Sequence, residues 1–137
     1  MKALFLLIAL ICCSQIYSGN GNTIKVFNYR LNLHNCTIQL ESQEKTITHS
    51  FDFENVGICR IVTHANTSVV TTHFINGSYI FFIENNYVYE DGCISEFTAF
   101  AVHREKGLLT TPLIKKSGTC LQTQEQKAFE YFSDILK

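Results

Sequence analysis

Apolar and polar positions alternate with period two along most of this chain, and the period changes to that of a helix only at its end. Phe27, Tyr29, Leu31 and Leu33 alternate with Asn28, Arg30 and Asn32. From Cys36 the apolar set moves to even positions, with Ile38 and Leu40 following. A slip of one residue exchanges the faces of a strand, so a bulge or tight turn is expected at His34-Asn35. Thr46 to Phe53 alternates again, with Ile47, His49, Phe51 and Phe53 on one side, until Asn55-Val56-Gly57 breaks the pattern. Ile58 to His64 reads as another strand, ended by Ala65-Asn66.

The clearest element is a hairpin from Val69 to Glu84 around Asn76-Gly77, a dipeptide that accepts the positive φ angles of a type I′ turn. A two-residue loop sets Ile75 against Ser78, Phe74 against Tyr79 and Thr72 against Phe81. One face then carries Val70, Phe74, Tyr79, Phe81 and Ile83, the more apolar set and the expected core. Asn85-Asn86 reads as a second turn into a short edge strand at Tyr87-Val88-Tyr89, and Gly92-Cys93 as another break. Ile94 to Arg104 is apolar on both sides, which predicts a central strand covered on two faces. Lys106-Gly107 turns the chain into Leu108–Ile114, an edge strand because of Pro112. Over Gln122–Leu136, Thr123 and Gln126 form a capping box, and Ala128, Phe129, Phe132, Ile135 and Leu136 form an apolar stripe. The expected fold is mainly β (α+β): antiparallel sheet, in a sandwich or small barrel of about 6–8 strands. An amphipathic C-terminal helix is expected to dock on it.

Met1–Ser18 has the pattern of a cleaved signal peptide, with Lys2 before an apolar run from Ala3 to Cys13 that is too short to span a bilayer. Ser18 is the preferred cleavage site and Ser14 the alternative. Removing 18 of 137 residues leaves a single domain, 19–137, with 10 Lys+Arg against 12 Asp+Glu and a formal charge of −2. No basic run exceeds Lys115-Lys116, which argues against nucleic acid, and no second apolar segment is long enough for membrane insertion. Cys12 and Cys13 leave with the leader. Cys36, Cys59, Cys93 and Cys120 remain, an even set that predicts two disulfides in a secreted protein, with three pairings open. Asn35, Asn66 and Asn76 each begin an Asn-x-Ser/Thr sequon and are the expected glycosylation sites.

The order of many antiparallel strands, then Phe97-Thr98-Ala99-Phe100-Ala101-Val102-His103-Arg104, then a terminal helix, resembles the end of a lipocalin barrel. The resemblance covers under a third of the chain, which has no tryptophan for that family's first-strand motif. It implies a barrel that carries a small apolar ligand, and it assigns no site residue.

The chain lacks a G-x-S-x-G elbow, a C-x-x-C pair and any H-x-H or H-E-x-x-H motif, so neither a catalytic residue nor a metal or cofactor is expected. His49 lies on an apolar face and reads as a hydrogen-bonded core imidazole, whereas His73 reads as exposed. The other chemistry open to this sequence is a hydrolase or nuclease site assembled in space, for instance from His64, His73 and Glu96. The fifteen Phe and Tyr beyond the leader read mostly as core. Tyr87 and Tyr89, on one face of a short strand, are the expected exposed contact residues. The leading expectation is a secreted, non-catalytic glycoprotein that binds an extracellular protein or cell-surface partner. A lipocalin-like carrier comes second and a small secreted hydrolase or nuclease third.

Overall fold

The alternation at the start of the chain builds a four-strand antiparallel meander in order β1 (Thr23–Val26), β2 (Tyr29–His34), β3 (Thr37–Glu41) and β4 (Thr46–Ser50). The computed structural model describes residues 23–64, 67–120 and 126–136. The leader, Asn66 and Thr123 with its capping box lie outside them. The one-residue change of phase at His34-Asn35 is a two-residue turn: His34 pairs with Thr37, and Asn35 and Cys36 take φ of 45° and 62°. β1, β2 and β3 each bury one face, with Ile24, Val26, Leu31, Leu33, Ile38 and Leu40 inward and Lys25, Arg30 and Asn32 outward, while Ile47 and His49 of β4 are half-buried.

The second sheet is organised around two strands of twelve residues, β7 (Ser78–Tyr89) and β8 (Gly92–His103), paired along their whole length. β6 (Thr72–Ile75) and β5 (Ile58–Ile61) lie end to end along the free edge of β7. β9 (Gly107–Thr110) and β10 (Lys115–Ser117) share the free edge of β8 in the same way. The β6–β7 turn has the expected register, with Asn76 and Gly77 at φ of 51° and 80°.

β7 and β8 are buried on both faces. Toward the first sheet, Phe81, Ile83, Phe100 and Val102 meet Leu31, Ile38 and Leu40 in the main core. On the opposite face, Ile80, Phe82, Ala99 and Ala101 are covered by Phe129, Phe132 and Leu136 of the C-terminal segment, whose helix α1 runs Gln126–Ile135. The three layers are therefore sheet, sheet and helix. Because both faces are covered, residues 80–83 of β7 and residues 99–102 of β8 read as continuous apolar runs instead of alternating.

The structure corrects the sequence reading in several places. Of the two architectures expected, the fold is the sandwich, with two separate sheets, but ten strands are seen among the described residues, more than the 6–8 expected. β1 and β10 account for part of the excess; neither has a distinct apolar run. Asn85-Asn86 is no turn and Gly92-Cys93 no break: β7 runs through the first and β8 begins with the second. The turn is Glu90-Asp91, since Tyr89 pairs with Gly92.

Both disulfides are present, and the pairing is Cys36–Cys59 and Cys93–Cys120. Their Cα separations are 5.1 and 5.7 Å, in the ordinary range. The first ties the β2–β3 turn of one sheet to β5 of the other. The second ties the start of β8 to the chain beyond β10, just ahead of the helix. Such bonds suit an oxidising compartment. No helix among the described residues is long and apolar enough to cross a membrane.

Candidate binding surface

At its far end the β7–β8 ribbon runs past the strands beside it. β5 stops pairing with β7 at Ile58–Asn86, so Tyr87, Val88 and Tyr89 have a neighbour only in β8, opposite Ile94, Cys93 and Gly92. Alternation carries Tyr87 and Tyr89 along the face of Ile83 and Asn85, and Val88 along the face of Phe82 and Glu84. Beyond the end of the partner layers both faces are open. Val88 is 75% exposed, while Tyr87 and Tyr89 are 38% and 45% exposed and stack on each other at 6.3 Å. Ile58, opposite Asn86 and so on Val88's face, is 78% exposed, and Val56 just before it is 94% exposed. Five exposed apolar side chains thus stand at one end of the sandwich, Tyr87 and Tyr89 on one face of the ribbon and Val88 and Ile58 on the other. The Glu90-Asp91 turn puts two exposed acidic residues at its tip.

A buried polar network holds this end in place. Glu96, 1% exposed, accepts the backbone N–H of Glu54 at 3.1 Å through Oε1 and that of Asn55 at 3.0 Å through Oε2. Asn85, its partner across the strands, donates from Nδ2 to Glu96 Oε2 at 3.2 Å and to the Asn55 carbonyl at 2.7 Å. The loop before β5 is therefore fastened to the two central strands. Gly57 lets it approach: a Cβ there would stand 2.5 Å from Asn85 Oδ1 and closer still to the Asn86 carbonyl oxygen. On the other face Glu84 is fully buried and ion-paired with Arg60 Nε. Its second oxygen, Asn86 Oδ1 and Ser95 Oγ are buried without a hydrogen-bond partner. Lys116 is ion-paired with Glu54.

Beside the patch, an open groove of about 470 Å³ lies over the Cys36–Cys59 disulfide. Val56 and Ile58 line one part of it, and His34 and Asn35 of the β2–β3 turn another. Asn35 is exposed, and its Nδ2 lies 3.1 Å from His34 Nε2. Asn76 is exposed too, in the turn at the opposite end of β7, a strand that spans about 37 Å at the rise of an extended chain.

The histidines are scattered. His49 is half-buried with its ring edge-to-face on Phe51 at 4.8 Å, so the apolar-face placement holds, although its contact is aromatic. His73 is exposed, yet its ring lies 4.2 Å from that of Phe129 in the helix. His103 Nδ1 accepts two backbone N–H groups at 3.1 Å and closes the β8–β9 turn. His64, His73 and Glu96 are not assembled: His73 stands across β7 from Ala101, five residues along β8 from Glu96. Among the described residues no three His, Cys, Asp or Glu side chains gather as metal ligands would. The space a lipocalin keeps for its ligand is filled by Leu31, Ile38, Leu40, Phe81 and Phe100, all fully buried.

Of the two tyrosines expected to be exposed, both are, but they belong to the tip of the longest strand rather than to a short edge strand. Val56, Ile58 and Val88 stand beside them without being among the expected contact residues. The signal was the apolar Val56 inside the polar break Asn55-Val56-Gly57. A second aromatic group forms around Phe74 and Tyr79, two residues of the expected core face. Phe27, at φ 55° in the β1–β2 turn, contacts Phe74 and Tyr79, and Arg104 sits over its ring at 5.1 Å. Only Phe74 in that group is more than half exposed among the large apolar side chains. No protein-family model, no curated protein and no solved structure matches this chain.

Proposed function

We propose that the protein is a secreted, non-catalytic glycoprotein that binds an extracellular or cell-surface protein through the apolar end of its sandwich. The observation that carries this reading is the concentration of Val56, Ile58, Tyr87, Val88 and Tyr89 at one end, exposed and beside a buried polar network. Large exposed apolar patches on a small domain mark contact surfaces, and tyrosines are favoured there. The tip adds exposed Glu90 and Asp91, while Arg60 and Lys116 are paired with Glu84 and Glu54. The fitting partner face is apolar at its centre and basic at its rim. Secretion is supported by the leader-like Met1–Ser18 and the two disulfides, and glycosylation by the exposed sequons at Asn35 and Asn76.

The test is a binding screen of the secreted protein against immobilised extracellular domains, repeated with Val88→Asp and with Tyr87→Ala/Tyr89→Ala. Each substitution alters an exposed position, so the melting temperature should hold within a few degrees while binding falls at least about tenfold, as for a central contact residue. A partner bound equally well by both variants would defeat the reading.

A further inference from the structure

Resting on that reading of the apolar end, we propose that a glycan on Asn35 covers the groove beside it and controls access to Val56 and Ile58. Three observations meet here. Asn35-Cys36-Thr37 is a sequon. Its asparagine lies in an exposed two-residue turn with left-handed φ, projecting from the sheet. The Cys36–Cys59 disulfide then pins that turn to β5, next to Ile58, so that Asn35, Val56 and Ile58 line a single groove. A glycan attached at Asn35 starts at the rim of this groove, and lying toward β5 it covers Val56 and Ile58; Asn35 also borders the groove formed by Asn32, Thr37, Gln39 and Thr48 on the outer face of the first sheet. The sequon at Asn76, at the other end of β7, has no such effect.

In the modification the Asn35 amide nitrogen, Nδ2, displaces a polyprenol pyrophosphate from the anomeric carbon of a lipid-linked oligosaccharide. The new bond is N-glycosidic, the pyrophosphate is the leaving group, and the amide nitrogen loses one proton. The same tripeptide supplies a disulfide cysteine. Closure of Cys36–Cys59 draws Asn35 into the folded turn, and chains that form the bond before the sugar arrives keep Asn35 bare. The protein is thereby made in two forms, one with Val56 and Ile58 covered and one with them open.

The experiment uses the full chain secreted by a glycosylating animal cell, with glycopeptide mapping and the emission of the apolar dye ANS as readouts. Asn35→Gly keeps the left-handed turn and removes the acceptor. Thr37→Val removes the sequon and leaves Asn35 in place. Both should raise ANS emission relative to wild type, and Asn76→Asp, which suits the same turn type, should not. Adding Ile58→Asp to Asn35→Gly should abolish the gain. A bare Asn35 in all secreted wild-type protein would overturn the proposal, as would unchanged emission in both sequon variants. A gain that survives Ile58→Asp would instead count against the apolar end as the exposed contact surface, leaving the glycan at Asn35 established by the mapping.

Discussion

At the scale of single residues, the central pair Asn85 and Glu96 does what neither residue type usually does. An Asn-Asn dipeptide favours a turn, yet here Asn85 is buried mid-strand because its amide and the Glu96 carboxylate answer the backbone of the loop at Glu54-Asn55. Replacing Glu96 by Gln leaves the shape but points an N–H₂ at donors. That should cost roughly 2–4 kcal/mol, since a buried group loses its partners, and denaturant unfolding would read it directly. Gly57→Ala should cost about 1–3 kcal/mol, because the loop has to lift off β7. Ser95 gives the opposite sign. Its hydroxyl is buried and unpartnered, so Ser95→Ala should leave stability unchanged or raise it by about 1 kcal/mol. None of this is legible in sequence. A buried polar network depends on which strands meet, and Asn85 and Glu96 are eleven residues apart.

At the scale of elements, the parts that were legible are those set by local chemistry. Asn76-Gly77 fixed its hairpin and register because few other residues accept two successive positive φ angles. The helix stripe placed Phe129, Phe132 and Leu136 against the sheet, as the 3.6-residue period implies. The two-sided apolar pattern of Ile94–Arg104 correctly announced a strand covered on both faces. What misled was punctuation inside β7 and β8, where tertiary contacts override turn propensity. The helix is a lid on Ile80, Phe82, Ala99 and Ala101, and its aromatic contacts are dense: Phe129 lies 4.6 Å from Phe82. Phe129→Ala should destabilise by about 3–5 kcal/mol, a large fraction of a small domain's stability, and it should lower secreted yield. Thermal unfolding of the purified variant separates that effect from one on expression.

At the scale of the whole molecule, the two disulfides divide the work. Cys36–Cys59 joins the sheets, and Cys93–Cys120 secures the approach to the helix, each closing a loop that in the chain-entropy view contributes about 3 kcal/mol. With the pairing known, Cys36→Ser, Cys59→Ser and the double variant should lose similar amounts of stability. Combining Cys36→Ser with Cys93→Ser should lose about the sum. The four cysteines were plain in the sequence, but their pairing was not, because it is decided by which turn lands beside which strand. The candidate site was half legible for the same reason. Tyr87 and Tyr89 follow from composition and alternation, whereas Val56 and Ile58 join them only once β5 lies along β7.

These layers leave one end of the molecule apolar and open, beside the loop that Glu96 and Asn85 fasten to the central strands. The most direct measurement places a photoreactive phenylalanine analogue at position 89 in one variant and at position 76 in another. Each secreted variant is then irradiated while bound to intact cells. Crosslinking to a cell-surface protein from position 89 and not from position 76 is the predicted result. Crosslinking from position 76 alone would contradict the account.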